Sequence, residues 1–281
     1  MFGNNNFIER SIMSALSFLK GAIFADEYAS KKGLLQSLDP RVKTVTFLFF
    51  IIQILLTKNL FILLCLYALC LLLTLFSRIN VGFFLKRTWI FIPLFSLLIA
   101  IPALFNIVTP GEPLITFTIA GLKLSITRQG LFGAALFMMR VTTSVSFAVL
   151  LSLTTRHFEL LKVLRVFGIP QVFVMTLGIC YRYIYLFVEI VENTYLAIKS
   201  RVGTTVHYTR GQHIVAWNIA SLWNRSYQLN EAVYQAMLSR GYRGEPVLGD
   251  DFKIMAKDGL WLSFVITLSA ALAYVQYYLL V

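Results

Sequence analysis

Five long apolar stretches constrain this chain more than anything else in it: Thr44–Thr57, Leu60–Phe76, Thr88–Val108, Leu131–Leu153 and Leu260–Val281. A helix needs about 20 apolar residues to cross a hydrocarbon core of about 30 Å, and inside that core every backbone polar group must find its partner within the protein. With 58% hydrophobic and only 14% charged residues, the 281-residue chain has a composition suited to lipid as solvent. The first stretch is short for a crossing and is expected to borrow flanking turns or tilt little. Only Lys58 and Asn59 separate it from the second. Pro93 and Pro102 lie inside the third, where each removes a backbone donor and is expected to kink the helix.

Charge then sets orientation. Lys and Arg outnumber Asp and Glu by 25 to 13, a net charge of +12. Such a balance suits nucleic acid, anionic lipid or an acidic protein partner, and the apolar composition argues against nucleic acid. Outside the five stretches, Lys and Arg number six in residues 1–43, one at Lys58, three in 77–87, two in 109–130 and twelve in 154–259. Rich and poor segments alternate, and the cytoplasmic side collects Lys and Arg, so the amino terminus, 77–87 and 154–259 are expected inside and the carboxyl terminus outside. The opening residues include Glu9 and Arg10 and reach no long apolar run before Val45, which does not read as a cleaved secretory signal. Between Phe7 and Phe24, Ile8, Ile12, Leu16, Leu19 and Ile23 recur at helical spacing opposite Glu9, Ser14, Ser17 and Lys20, the pattern of a helix lying on the membrane surface.

Ile169–Ile190 has the hydropathy of a sixth span, and charge argues against it. A crossing there would move the basic stretch Lys199–Lys257 outside and set Arg182 near mid-bilayer, at a cost of at least about 2.5 kcal/mol. Pro170 suits a first helical turn, and a helix from it to Arg201 is about 48 Å long, more than the membrane takes. The expectation is a cytoplasmic region of long helices: a short one over Thr155–Phe167 stopped by Gly168 and Ile169-Pro170, the long one, a turn over Gly203–Gly211, and another helix from about His213 to Arg240 ended by Gly241. On that last helix Asn218, Ser221, Arg225, Gln228 and Gln235 share a wet face, away from Ile219, Leu222, Val233 and Met237. The fold class is therefore an all-α membrane protein with about five transmembrane helices and a cytoplasmic domain of long helices. It divides into an amino-terminal interfacial segment (1–43), four spans (44–153), the cytoplasmic helices (154–259) and a last span (260–281).

Several chemistries lack their apparatus. There is no GxxxxGK[ST] phosphate loop, no HExxH and no GxSxG, and the histidines stand at 157, 207 and 213, all in the cytoplasmic region. Cys65, Cys70 and Cys180 have no CxxC spacing and read as buried free thiols. Arg140, beside Met138 and Met139, is the conspicuous charge within the spans, and the methionines read as packing filler. No catalytic or metal-binding residue is expected in this chain, and substrate selection is expected on another. Arg182, Glu189 and Glu192, at helical spacing, read as a structural polar network rather than the catalytic cluster of a lipid-acting membrane enzyme. A self-contained channel would need pore-lining charge or a glycine-rich filter, and neither is present.

Three motifs remain. Leu38-Asp39-Pro40-Arg41-Val42-Lys43 precedes the first span; Asp39-Pro40 ends one segment and starts a helix, while Arg41 and Lys43 are expected to hold that start at the anionic inner surface. Ser200-Arg201-Val202 closes one long helix, and Ser239-Arg240-Gly241 closes the other, within Ala236-Met237-Leu238-Ser239-Arg240-Gly241-Tyr242. The first resembles the LDPRxK motif, and the other two the paired arginine motifs, of the transmembrane (T) components of energy-coupling-factor transporters. Gly203 stands one place later than is common in that family. Phe24-Ala25-Asp26-Glu27-Tyr28 and Gly33-Leu34-Leu35 are similar to the cobalt/nickel, CbiQ-type branch, with the vitamin-importing branch as the alternative.

The resemblance covers nearly the whole chain. It implies a non-enzymatic coupling subunit of an ATP-driven importer in a bacterial or archaeal cytoplasmic membrane. The implied partners are two cytoplasmic ATPase subunits, which bind the ATP, and a substrate-binding integral membrane subunit. Ser200, Arg201, Val202, Ser239, Arg240 and Gly241 would form the ATPase-coupling sites.

Overall fold

The computed structural model describes residues 28–31, 33–89, 92–104, 113–119, 122–202, 208–244 and 255–278. The expected surface helix over Phe7–Phe24 lies outside the described residues, as do positions 203–207 of the expected turn. The chain divides into two compact units, one of residues 26–160 with 252–281 and one of residues 1–25 with 161–251.

The first unit holds α1 (Pro40–Leu56), α2 (Leu60–Phe76), α3 (Val81–Trp89), α4 (Ile92–Ala100), a two-stranded antiparallel hairpin of β1 (Pro113–Ile119) and β2 (Leu122–Thr127), α5 (Arg128–Thr154) and α9 (Ala256–Tyr278). Local chemistry sets many of these limits. The Asp39 side chain accepts from the Arg41 N–H and Pro40 opens α1, so the motif is a helix N-cap followed by proline where its missing donor costs nothing. Asn59 caps α2 in the same way, and Thr127 caps α5 through the Gly130 N–H. Within the third apolar stretch α3 is followed to Trp89 and α4 from Ile92, with residues 90 and 91 outside the described residues, and past Ala100 the α-helix gives way to a 3-10 turn at Pro102–Leu104. Pro102 thus opens a 3-10 turn and does not bend a continuous α-helix.

Helix α5 is the centre of this unit, packing against α1, α2, α3 and α4, while α9 packs on α1. Its buried face carries small and hydroxyl residues, Gly130, Ala134, Thr142, Thr143 and Ser146, then Phe147, Leu150 and Leu153. Small side chains let helix backbones approach, and the hydroxyls of Thr142, Thr143 and Ser146 return to carbonyls one turn back, so burying them leaves no donor unsatisfied. Phe147 packs edge-on to Phe47 and tilted against Phe50, all three fully buried.

The second unit contributes α7 (Gln171–Val202) and α8 (Tyr208–Ser239), each 32 residues. α6 (His157–Leu164) falls at the division between the units. Gly168 has a φ of 83°, the left-handed region that favours glycine, and α7 starts just after Pro170. Among the described residues, three helices are long and apolar enough to cross a membrane by length and composition: α5, the Gln171–Thr194 part of α7, and α9. The protein is an all-α membrane protein, with the hairpin as its strand element among the described residues.

Candidate functional site

The motif ahead of the first span folds into a buried polar cluster. Asp39, having capped its own helix, gives its backbone N–H to Asp258 Oδ1 at 2.8 Å. Asp258 Oδ2 accepts the Met255 N–H at 2.8 Å, so one carboxylate, 2% exposed, serves the first turns of both α1 and α9. A carboxylate there also meets the positive ends of two helix dipoles. One turn into α1, Lys43 is 1% exposed and its Nζ donates to the Thr154 carbonyl at 2.9 Å, at the carboxyl end of α5. This corrects the expectation that Lys43 anchors the helix at the lipid surface. Four unpaired carbonyls close every helix, and in a water-poor setting a buried ammonium compensates both itself and that helix end. Farther along, Trp261 Nε1 donates to Thr46 Oγ1 at 3.2 Å and Gln53 Nε2 to the Ser269 carbonyl at 3.3 Å. These contacts advance in step along both chains, so α1 and α9 run parallel, whereas the contacts from Lys43 to Thr154 and from Thr57 to Arg140 make α1 and α5 antiparallel.

The two arginine motifs lie at the ends of α7 and α8. Ser239 Oγ donates to the Ala236 carbonyl at 2.9 Å and Ser200 Oγ to the Ala197 carbonyl at 2.9 Å, the same local bond in both. After Ser239 the α8 backbone closes as a Schellman turn: Gly241 N–H donates to Leu238 O at 2.9 Å and Tyr242 N–H to Met237 O at 3.0 Å, with Gly241 at φ 84°. Arg240 is the capping residue, and its side chain is exposed beyond the helix. Arg201 is likewise exposed, but still inside α7, which ends at Val202. Arg182 and Glu189 are exposed on α7 and Glu192 is half-buried, so two of the three expected network residues stand at the surface.

Between α7 and α8 lies a groove of about 650 Å³ lined by Ile179, Tyr183, Phe187, Tyr227, Met237 and Tyr242, among others. The expected division of α8 into wet and apolar faces is blurred: Ile219 is 63% exposed while Asn218 is half-buried. Of the cysteines, only Cys70 is buried, and Cys65 and Cys180 are exposed free thiols. Among the described residues no group of three His, Cys, Asp or Glu is placed to hold a metal ion.

A sequence profile of the family described as cobalt transport protein, CbiQ, matches residues 31–248, from just ahead of the span-start cluster to just past the Schellman turn. The chain belongs to the CbiQ family. Over 271 residues it is 34% identical to an uncharacterized protein of Methanocaldococcus jannaschii, covering 96% of this chain and 92% of that one. It is also 31% identical over 137 residues to a protein of Methanocorpusculum labreanum named as a fused cobalt transport protein, CbiMQ, covering 48% of this chain and 22% of that protein. A second uncharacterized protein of M. jannaschii is 29% identical over 125 residues, or 44% of this chain and 46% of the relative. CbiQ is a transport family, and this chain is a transmembrane component of cobalt transport.

In this CbiQ-family chain the apolar pattern starts the last span at Leu260 and so passes over Asp258. The signal was an acidic residue three positions after a helix start, half of a capping box. The long apolar runs likewise pass over the hairpin, whose alternation of Ile115, Phe117 and Ile119 with Leu122, Leu124 and Ile126 around Ala120-Gly121 is the pattern of paired strands.

Proposed function

We propose that this chain is the coupling subunit of an ATP-driven cobalt or nickel importer, passing motion from two cytoplasmic ATPase subunits to a substrate-binding membrane subunit. The relative named as a fused cobalt transport protein, CbiMQ, supports a second component that works with this chain. Residues 155–254 form the cytoplasmic region in this reading, and α7 does not cross. The supporting observation is where that segment begins and ends. Thr154 and Met255 flank one polar cluster, bonded to Lys43 and, through Asp258, to Asp39, so the chain leaves and re-enters the first unit on the same side. A lone crossing by α7 would put those ends on opposite faces. The positive-inside bias then makes this face cytoplasmic and leaves the amino terminus there too. ATP belongs to the ATPases, because this chain lacks a phosphate loop.

Within that region Arg201 and Arg240 are the ATPase contacts. The observation that carries this reading is the α8 ending, where a left-handed glycine stops the helix and leaves the Arg240 side chain exposed at its tip. A guanidinium makes several directional bonds to carboxylates and carbonyls at once, which suits a docked helix tip. Losing one partner of a desolvated charge pair costs on the order of 2 to 5 kcal/mol, so Arg201→Ala or Arg240→Ala lowers uptake steeply while the chain still inserts. Arg240→Lys restores only part, and the double alanine variant loses the ATPases but keeps the membrane partner. Co-purification of each partner, with uptake into vesicles, reads this out. Normal uptake and intact ATPase binding in the double variant would reduce both arginines to helix caps.

A further inference from the structure

One cation on α1 and one on α5 each end on the carboxyl terminus of the other helix. Lys43 of α1 donates to the Thr154 carbonyl, the last residue of α5, at 2.9 Å. Arg140 of α5 donates through a terminal guanidinium nitrogen to the Thr57 carbonyl, the C-cap of α1, at 2.7 Å. Lys43 and Thr57 are fourteen residues apart, and so are Arg140 and Thr154. Fourteen residues rise about 21 Å and make nearly four turns, so in two antiparallel helices both bonds close together in one register. Between them Phe147 of α5 packs on Phe47 and Phe50 of α1. A slip of either helix by one residue moves each cation by about 1.5 Å and turns it about 100° from its carbonyl, so both bonds break at once.

We propose that Lys43 and Arg140 form a reciprocal clasp, each capping the other helix's carboxyl end, which fixes the register of α1 and α5 and makes them the rigid post of the transport cycle. A cation inside a membrane protein is costly unless it is paired, and the end of a helix inside apolar surroundings is costly unless its carbonyls find donors. Each bond answers part of both costs, although the Arg140 Nε is buried without a hydrogen-bond partner. In both hydrogen bonds the acceptor is a backbone carbonyl, which faces the cation only while the opposing helix is wound to its last turn; Glu159 and Asp39 act on Lys43 as nearby charges. Lys43 and Arg140 are therefore positioning residues. Their part as a post rests on the coupling function proposed above, whereas the clasp itself does not.

The experiment uses the full chain in lipid nanodiscs, alone and assembled with its partners. In hydrogen–deuterium exchange, Lys43→Met raises exchange in the last turn of α5, Leu150–Thr154, and Arg140→Met raises it in the last turn of α1, Gln53–Thr57, each by about tenfold. Lys43→Arg and Arg140→Lys keep a cationic donor and hold exchange within about twofold of the parent. Unchanged exchange at the opposing helix end in both Met variants, or equal effects of Met and the conservative replacements, overturns the clasp. In the assembled transporter, the Met variants hydrolyse ATP within about twofold of the parent while ions imported per ATP fall about tenfold, and the conservative variants recover that ratio. Uptake and hydrolysis falling in proportion would overturn the role as a post. If the parent chain fails to bring down ATPases at all, the coupling function fails, and the exchange result judges the clasp independently.

Discussion

Replacing Asp258 by alanine tests how α9 is joined to α1. Its carboxylate accepts the Asp39 and Met255 N–H groups at 2.8 Å each, the first in a buried setting and the second partly buried. Alanine leaves both donors without that acceptor. A hydrogen bond to a charged group contributes about 1.5 to 3 kcal/mol, and the partly buried bond belongs at the low end of that range. Removing a carboxylate that is 2% exposed also relieves its own desolvation, which offsets part of the loss. The net cost is about 2 to 4 kcal/mol, and at roughly 2 to 4 °C per kcal/mol for a chain this long, Tm falls by roughly 5 to 15 °C. Asp258→Asn keeps one acceptor but turns its NH2 toward the other N–H, so it lies between parent and alanine. Cys70 supplies the assay, because it is buried whereas Cys65 and Cys180 are exposed. With those two changed to serine, a thiol-reactive dye reports melting as Cys70 becomes accessible. An alanine variant that melts within about 1 °C of the parent, or an asparagine variant less stable than alanine, would refute the assignment of Asp258 as the joint between the two helix starts.

Other expectations follow from the same structure. Gln235→Cys, at an exposed position on α8, labels with a membrane-impermeant reagent only from the cytoplasmic face in a background lacking the native thiols; labelling from outside would instead make α7 a span. Gly241→Ala places a side chain at φ 84° with open space around the new Cβ, so its cost is backbone strain alone, about 1 to 2 kcal/mol. Uptake should fall with it, and Gly241→Asn, which tolerates the left-handed region better, should fall less; equal uptake by all three would detach the Schellman turn from coupling. Calorimetry on the purified chain alone should detect no tight ATP or cobalt binding, and a stoichiometric micromolar metal site would move ion selection onto this subunit.

Much of the architecture was legible because helix limits are local. Asp39-Pro40, Asn59 and Gly168 with Pro170 each fix a boundary through the backbone of a few adjacent residues, and those boundaries stand where the sequence puts them. The long α7 and the glycine stop of α8 were readable for the same reason, although α8 is already helical at Tyr208, ahead of the expected start near His213. Apolar runs predicted the helices less well near Pro102, since the α-helix within Thr88–Val108 gives way to a 3-10 turn after Ala100. Hydropathy says that a segment avoids water and nothing about its continuity.

What the sequence determined by itself is the membrane-helical class, the helix starts and stops, and the motifs that carry the family. The partner of each buried polar group was decided by tertiary structure alone. Lys43 reaches a carbonyl 111 positions away and Asp258 a backbone N–H 219 positions away. Residue type says only that such a group needs a partner once buried. Which helix end supplies it depends on the packing of α1 beside α5 and α9, and that packing turns Lys43 from a surface anchor into an internal cap.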